Sequence, residues 1–343
     1  SSRNRKQSCI TFTTMEKGVK TVVVLAGGYS SEHEISLASG QVAFSAFEAA
    51  GYQTLFVKVD RSGYSLEGKN VRLDELGADY VFNSIHGSPG EDGHMSGVLE
   101  LLNIPHSTCP TFQSALTFNK AQCNAVLRDA GIRVPKGRLF NDFPGIAEFK
   151  RWRFPVFVKP NCAGSSYGVS RVEEPEQLEA AFQYALTEGA QILVEEGITG
   201  KEVGCGVLRA AFNFDSKSFE SPQSRAIAIT EIVPTEGAFF DYEAKYKGKS
   251  KEITPARISE VLSARIEAIS ERVYDLLNLK GIVRMDYIID KNDEAVLIEV
   301  NSIPGLSPAS IVPQQVASRN WSLKEVLSTL AEEHMAAHKE KNS

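Results

Sequence analysis

The chain has 343 residues, 42% of them hydrophobic and 23% charged, with a formal net charge of −6. That length exceeds what one core usually serves and sets a prior of two or three domains, while the acidic balance argues against a nucleic-acid surface. The cysteines (Cys9, Cys109, Cys123, Cys162 and Cys205) lack CxxC spacing, and no apolar run has membrane-spanning or signal-peptide length, so the composition reads as a cytosolic protein with reduced thiols and no membrane partner.

Residues 1–14 are polar, basic and aperiodic, and Met15 is a plausible start, so residues 1–19 are read as a disordered leader. A first α/β unit is expected over residues 20–107. Thr21–Ala26 is a continuous apolar run, the form of a buried parallel strand. It ends in Gly27-Gly28-Tyr29-Ser30-Ser31 and enters a helix near Glu34 that reaches Gly51. Strands at Thr54–Val59 and Asp79–Ile85 follow. Glu32, His86-Gly87 and Glu91-Asp92-Gly93 all fall after strands, where open α/β sheets bind ligands. His86 is equally read as a histidine satisfied within its loop.

A second unit is expected over residues 108–194. Thr111–Ala130 has the pattern of one amphipathic helix containing Lys120. Pro155–Lys159 reads as a strand, followed by the small-residue loop PNCAGSSYG, which resembles phosphate-approaching glycine loops but lacks a P-loop's GK[ST] ending. Lys159 would be a point charge for a phosphate. A helix from about Pro175 to Gly189 leads into Gln191–Glu196, with Glu195 at the strand's exit and Glu202 just beyond a Thr-Gly turn.

The third unit, residues 195–343, contains a long loop at Pro234–Lys251, and loops of that length are usually functional. Thr254-Pro255 supplies an N-cap and N1 pair for a helix whose apolar stripe runs from Ile258 to Leu277. Next come two β-rich runs, Val283–Ile289 and Ala295–Val300, joined by a polar turn at Lys291–Glu294. A hairpin centred between Asn292 and Asp293 sets Asp286 opposite Glu299 and Arg284 opposite Asn301, with Met285, Tyr287, Ile298 and Val300 on the core face. Facing carboxylates repel. A divalent cation reverses that, and an all-oxygen set suits Mg²⁺ or Mn²⁺ with phosphate. The plain alternative is an exposed hairpin with a solvated acidic face, but the Pro304-Gly305 turn brings backbone N–H groups to the same place.

Taken together, Lys120, Lys159 with its serine loop, the LVEE strand, Arg284/Asp286 and Glu299-Val-Asn301 resemble the ATP-grasp superfamily. GGYSSEHEIS, IHGSPGEDG, VKPNCAGSSYGVS, FDYEAKY and RMDY…EVNSIPGLSPAS narrow the resemblance to the D-alanine–D-alanine ligase family over roughly residues 20–330. It implies an N-terminal open parallel α/β domain and a two-subdomain ATP-grasp unit with antiparallel sheets. It also implies a cytoplasmic homodimer that makes D-alanyl-D-alanine from D-alanine and ATP for peptidoglycan precursors, through a D-alanyl phosphate. On the family's pattern Lys120, Lys159 and Lys245 contact phosphates, while Glu195, Glu202 and Ile198 hold the adenosine. Asp286, Glu299 and Asn301 bind two Mg²⁺ or Mn²⁺. Arg284 and the Gly305 N–H face the tetrahedral oxyanion. Glu32 and His86 meet the first D-alanine, Ser310 the carboxylate of the second, and Tyr246 with Ser165 and Glu32 forms a network over the site. The family's lysine after the adenine-side glutamate is Glu196 here, which leaves a backbone contact to the base. A D-alanine–D-lactate ligase, another ATP-grasp carboxylate–amine ligase and a silent ATP-binding module are the rival readings; the silent module should have lost Arg284 or a metal ligand, and all are present.

Overall fold

The structure is a computed structural model that describes residues 18–164, 167–234 and 250–342. Its first sheet is built on β1 (Thr21–Gly27), whose residues are all buried. β1 runs parallel to β2 (Gln53–Asp60) and β5 (Tyr80–Asn83), and β3 (Gly63–Leu66) and β4 (Lys69–Val71) extend the edge antiparallel, in the order β4-β3-β2-β1-β5. The open sheet is therefore mixed rather than wholly parallel. Because side chains alternate, Val23 and Leu25 join one core with Val81, Met95 and Leu99, while Val22 and Val24 join another with Phe47 and Tyr80. Helix α1 (His33–Ala49) and helix α2 (His94–Leu101) leave the carboxyl ends of β1 and β5.

The single helix expected over Thr111–Ala130 is two, α3 (Thr111–Phe118) and α4 (Lys120–Asp129). Asn119 breaks them: its backbone is extended and its side chain accepts from Gln122 N–H, an N-cap for α4. Asn161 completes the cap, taking the N–H of Lys120 on its carbonyl (3.2 Å) and that of Ala121 on its side-chain oxygen (2.9 Å). Lys120 thus opens a helix and is not a solvated mid-helix residue.

Two antiparallel sheets follow, as expected. β6 (Gly137–Phe140), β7 (Val156–Pro160), β8 (Ser170–Val172) and β9 (Ile192–Glu196) form the smaller, ordered β6-β9-β7-β8, with α5 (Leu178–Leu186) on its outer face. β10 (Gly200–Asn213), β11 (Ser218–Pro234), β12 (Ser250–Ile253), β13 (Ile282–Asp290) and β14 (Ala295–Asn301) form the larger, ordered β12-β11-β10-β13-β14. Helix α6 (Glu260–Leu276) covers its core face and is capped by Ser259, not Thr254; the Thr254 hydroxyl is bonded to that of Thr230 at 2.6 Å.

The β13–β14 pairing corrects one expectation. Arg284 faces Asn301 and Asp286 faces Glu299 as expected, but a bulge then shifts the register so that Tyr287 pairs with Leu297. The extra residue resets the alternation. Leu297 and Ala295 enter the core, and Ile298 turns to the opposite face.

Helix α7 (Ile311–Ser318) packs on the cleft side of β10 and β11, and α8 (Leu323–Asn342) returns to α1 and the first sheet. At that joint Tyr80 Oη and His334 Nδ1 are hydrogen-bonded at 2.8 Å. Nearby His106 is 5% exposed and bonded to the Thr108 hydroxyl at 2.8 Å. Burial, aided by the charges of Lys280 and His338, lowers its pKa to about 3. Below the ordinary histidine pKa the unfolded chain takes a proton that folded His106 refuses, so stability falls as pH drops from about 6.5 toward 3. At pH 5 this one group costs about 2 kcal/mol. The melting temperature should drop from pH 7 to pH 5, and His106→Asn should narrow that drop; an equal drop in both proteins would remove His106 from the account.

Candidate active site

The smaller antiparallel sheet faces the larger across a cleft with two connected cavities. One, of about 530 Å³, is lined by Glu32, His86, Glu91, Lys120, Arg284, Glu299, Asn301, Gly305 and Ser310. The other, of about 490 Å³, is lined by Lys159, Glu195, Glu196, Ile198, Glu202, Asp286 and Ile298, and shares Lys120 and Glu299 with the first. The expected site residues among those described therefore gather in one cleft. Ser165, Lys245 and Tyr246 lie outside the described residues.

Each side chain arrives by a specific route. Lys120, at the start of α4, reaches Glu299 of β14 at 3.0 Å and is only 9% exposed. Burial works to lower its pKa, but the charge and hydrogen bond of Glu299 together with the Glu91 charge outweigh it, and the net shift is upward. Lys159 and Glu195 sit on β7 and β9 and pair at 2.5 Å. Glu195 also accepts from Asn124 Nδ2 of α4 at 2.8 Å, so it is buried between two donors rather than standing open at the strand's exit. Glu196 is turned to the backbone N–H of Lys136 (2.9 Å). On β13, Arg284 grips Asp286 through two hydrogen bonds of 2.7 and 2.8 Å.

The two carboxylates that face each other across β13 and β14 are thus each matched by a basic group, Asp286 by Arg284 and Glu299 by Lys120. Among the described residues no three carboxylate, histidine or cysteine groups converge as a metal cage. Asp286, Glu299 and Asn301 offer two carboxylates and an amide side by side, all hard oxygen donors. Such a set fits Mg²⁺ or Mn²⁺ whose shell is completed by water and phosphate oxygens.

At the other end of the cleft, Glu32 precedes α1 and is buried. His86 is bonded to the Ser39 hydroxyl of α1 at 3.2 Å. Burial, with Arg284 adding to it, lowers the His86 pKa to about 4, so the ring is neutral at pH 7. The same Ser39 hydroxyl accepts from Leu306 N–H at 3.1 Å, which fixes the Pro304–Leu306 turn and with it Gly305. Ser310 is the N-cap residue of α7, its hydroxyl bonded to that of Ser307 at 2.8 Å. A helix start beside a hydroxyl is suited to a carboxylate.

Sequence reasoning passed over several residues here. Nothing in the sequence ties Asn161 to Lys120 or Asn124 to Glu195, because these partners are distant in the chain. Glu91 was noted only as part of a loop; it is 7% exposed. Burial and the nearby Glu32 charge raise its pKa to about 8. Gly164 is the fourth.

Lysines and carboxylates meeting between two facing antiparallel sheets, with an α/β unit closing one end, define a nucleotide-dependent ligase of ATP-grasp architecture. Comparison with known proteins narrows the class. Residues 144–332 match the family model described as the D-ala D-ala ligase C-terminus. The chain is 38% identical over 327 residues to a D-alanine–D-alanine ligase of Porphyromonas gingivalis, covering 90% of this chain and 96% of that protein. A D-alanine–D-alanine ligase of Flavobacterium johnsoniae is also 38% identical, with 93% and 100% covered. Among solved structures, a D-Ala:D-Ser ligase of Enterococcus faecalis superposes with a TM-score of 0.79 at 30% identity, covering 92% of this chain and 99% of that one. This chain belongs to the D-alanine–D-alanine ligase family.

Gly164 gives this site a direct test. A Cβ added there would lie 2.3 Å from a Glu32 carboxylate oxygen, closer than any real contact, so Glu32 must swing away. Gly164→Ala is expected to raise the KM for D-alanine about tenfold or more, the size of losing one charge-assisted contact, with the KM for ATP and the melting temperature little changed. An unchanged D-alanine KM would separate Glu32 from the substrate.

Proposed function

We propose that this chain joins two D-alanines into D-alanyl-D-alanine while converting ATP to ADP and phosphate, through a D-alanyl phosphate, as a step in making peptidoglycan precursors. The observation that carries the reading is the single cleft that joins one pocket with groups for two zwitterions to a second of similar size with groups for a nucleotide, the two meeting at Lys120 and Glu299. The carboxylate of the first D-alanine attacks the γ-phosphorus and ADP leaves. The amine of the second attacks the acyl carbon and phosphate leaves. Both nucleophiles belong to the substrates, so the protein's work is positioning and charge stabilisation.

Glu32 receives the ammonium of the first D-alanine, and neutral His86 lies beside it. Ser310 and the start of α7 receive the carboxylate of the second. Arg284 and the Gly305 N–H meet the oxyanion of the tetrahedral intermediate. Lys120 and Lys159 hold phosphate oxygens, with Lys245 on the transferring group. Ile198, Ile298 and Glu202 take the base and ribose in the cavity they share, where Glu195 holds Lys159 in place. Asp286, Glu299 and Asn301 hold two Mg²⁺ or Mn²⁺, which neutralise phosphate charge when bound. Ser165 and Tyr246 complete the network around Glu32. Three units are supported by the three separate sheets, the first boundary lying near residue 107 and the second after β9, which ends at Glu196 rather than at the expected 194. Exposed Leu101 and Phe112, on adjoining α2 and α3, favour a second copy covering them in a homodimer. No helix of the described residues is long and apolar enough to cross a membrane, in keeping with a cytoplasmic enzyme.

The test is phosphate and product formation with ATP, Mg²⁺ and D-alanine, with L-alanine and D-lactate as controls. D-alanyl-D-alanine in step with phosphate is expected, and phosphate without dipeptide would defeat the reading. Replacing Arg284 by Met should lower turnover by about 10²–10³, the usual loss for an oxyanion donor. ATP affinity should change little; its collapse would instead make Arg284 a ground-state phosphate ligand or a structural residue.

A further inference from the structure

Glu91 lies in the loop between β5 and α2, five residues after His86, yet it touches the far side of the cleft. One carboxyl oxygen, Oε2, accepts from Gly87 N–H at 2.6 Å, and the Glu91 N–H returns a bond to the Gly87 carbonyl at 2.8 Å. The other oxygen, Oε1, accepts from Asn301 Nδ2 at 3.1 Å. The Asn301 amide oxygen then accepts from Arg284 Nη2, also at 3.1 Å. That is the orientation in which both ends of the amide are satisfied, because the reverse would set its nitrogen against the guanidinium.

An amide has two ends of nearly equal size and opposite chemistry, so shape cannot choose between them. Here the choice is made by acceptors and donors alone. Arg284 has only donors and demands the oxygen end; the Nδ2 end that is left finds Glu91 Oε1 as its acceptor, with Oε2 taken by Gly87 N–H. We propose that Glu91 is a positioning residue for the ligation: by accepting from Asn301 Nδ2 it fixes the amide oxygen toward Arg284, as the end that would serve a bound cation, and it thereby ties the His86 loop to the strand that carries Glu299, the cross-strand neighbour of Asp286. The inference rests on the role given to Asn301 under the proposed function. A purely local role would be closure of the 87–91 loop through Gly87, and that alternative makes different predictions.

Glutamine at position 91 has one acceptor oxygen where glutamate has two. If that oxygen keeps Gly87 N–H, the new NH₂ faces Asn301 and drives its amide round, setting nitrogen against Arg284. Asn301→Asp alone places a second carboxyl against Glu91. The double variant Glu91→Gln/Asn301→Asp restores every pair: the glutamine oxygen accepts from Gly87, its NH₂ donates to the new carboxylate, and an oxygen again faces Arg284.

The experiment measures dipeptide turnover, and the melting-temperature rise on adding ADP and Mg²⁺, for wild type, both single variants and the double variant. Each single variant should lose about tenfold or more in turnover, the usual scale for a residue that orients a ligand, and show a smaller ADP–Mg²⁺ shift. The double variant should recover both to within about threefold of wild type, the mark of a direct pair in a double-mutant cycle. Wild-type behaviour of Glu91→Gln, or a double variant no better than the poorer single one, would overturn the inference. Failure of the wild type to make dipeptide would fall on the proposed function instead, and the ADP–Mg²⁺ shifts would still read the Glu91–Asn301 coupling.

Discussion

The cleft depends on the antiparallel pairing of β13 with β14, which sets Asp286 directly across from Glu299. Two carboxylates at adjacent cross-strand positions destabilise a sheet unless positive charge lies between or beside them. The protein supplies that charge from two directions, Arg284 on the same strand and Lys120 from the start of α4. Lys120 arrives only because Asn119 breaks the helix and Asn161 caps it, and Asn161 is the first residue of the loop that follows β7. One electrostatic requirement on the larger sheet therefore fixes how the smaller unit is joined to it.

A second constraint acts from the first sheet. Ser39 on α1 holds both His86 and the turn containing Gly305, and Glu91 reaches from the His86 loop to Asn301. The Glu32–His86 end of the cleft and the strand bearing Glu299 and Asn301 are linked by hydrogen bonds between segments more than 200 residues apart. These bonds are buried, where an unpaired donor or acceptor is costly, so the loops of the first unit are set against the third with little freedom. The shared apolar core of Val22, Val24, Phe47 and Tyr80 with α8 serves the same end.

Much of this was legible in the sequence because it is local. The apolar run of β1, the alternation of β13 and β14 and the residues at strand ends all follow from period and turn chemistry. Where the reading failed, the deciding partner was distant. The α3–α4 break depends on Asn161, which continuous helical periodicity in Thr111–Ala130 cannot reveal. The β14 bulge moves Ile298 from the core to the cleft, and alternation alone has no term for one extra residue. Thr254 looks like a cap until Thr230, on a neighbouring strand, takes its hydroxyl. Glu195 resembles an open ligand until Asn124 and Lys159 close over it.

The central claim is that the cleft activates a carboxylate by phosphorylating it. It is tested most directly with D-alanine carrying oxygen-18 in its carboxylate, turned over with ATP and Mg²⁺, the released phosphate being examined by phosphorus NMR. The account predicts that each phosphate carries one labelled oxygen, transferred when the acyl phosphate is cleaved by the second amine. Phosphate released without label would mean that water attacks ATP in this site, and the account would be wrong.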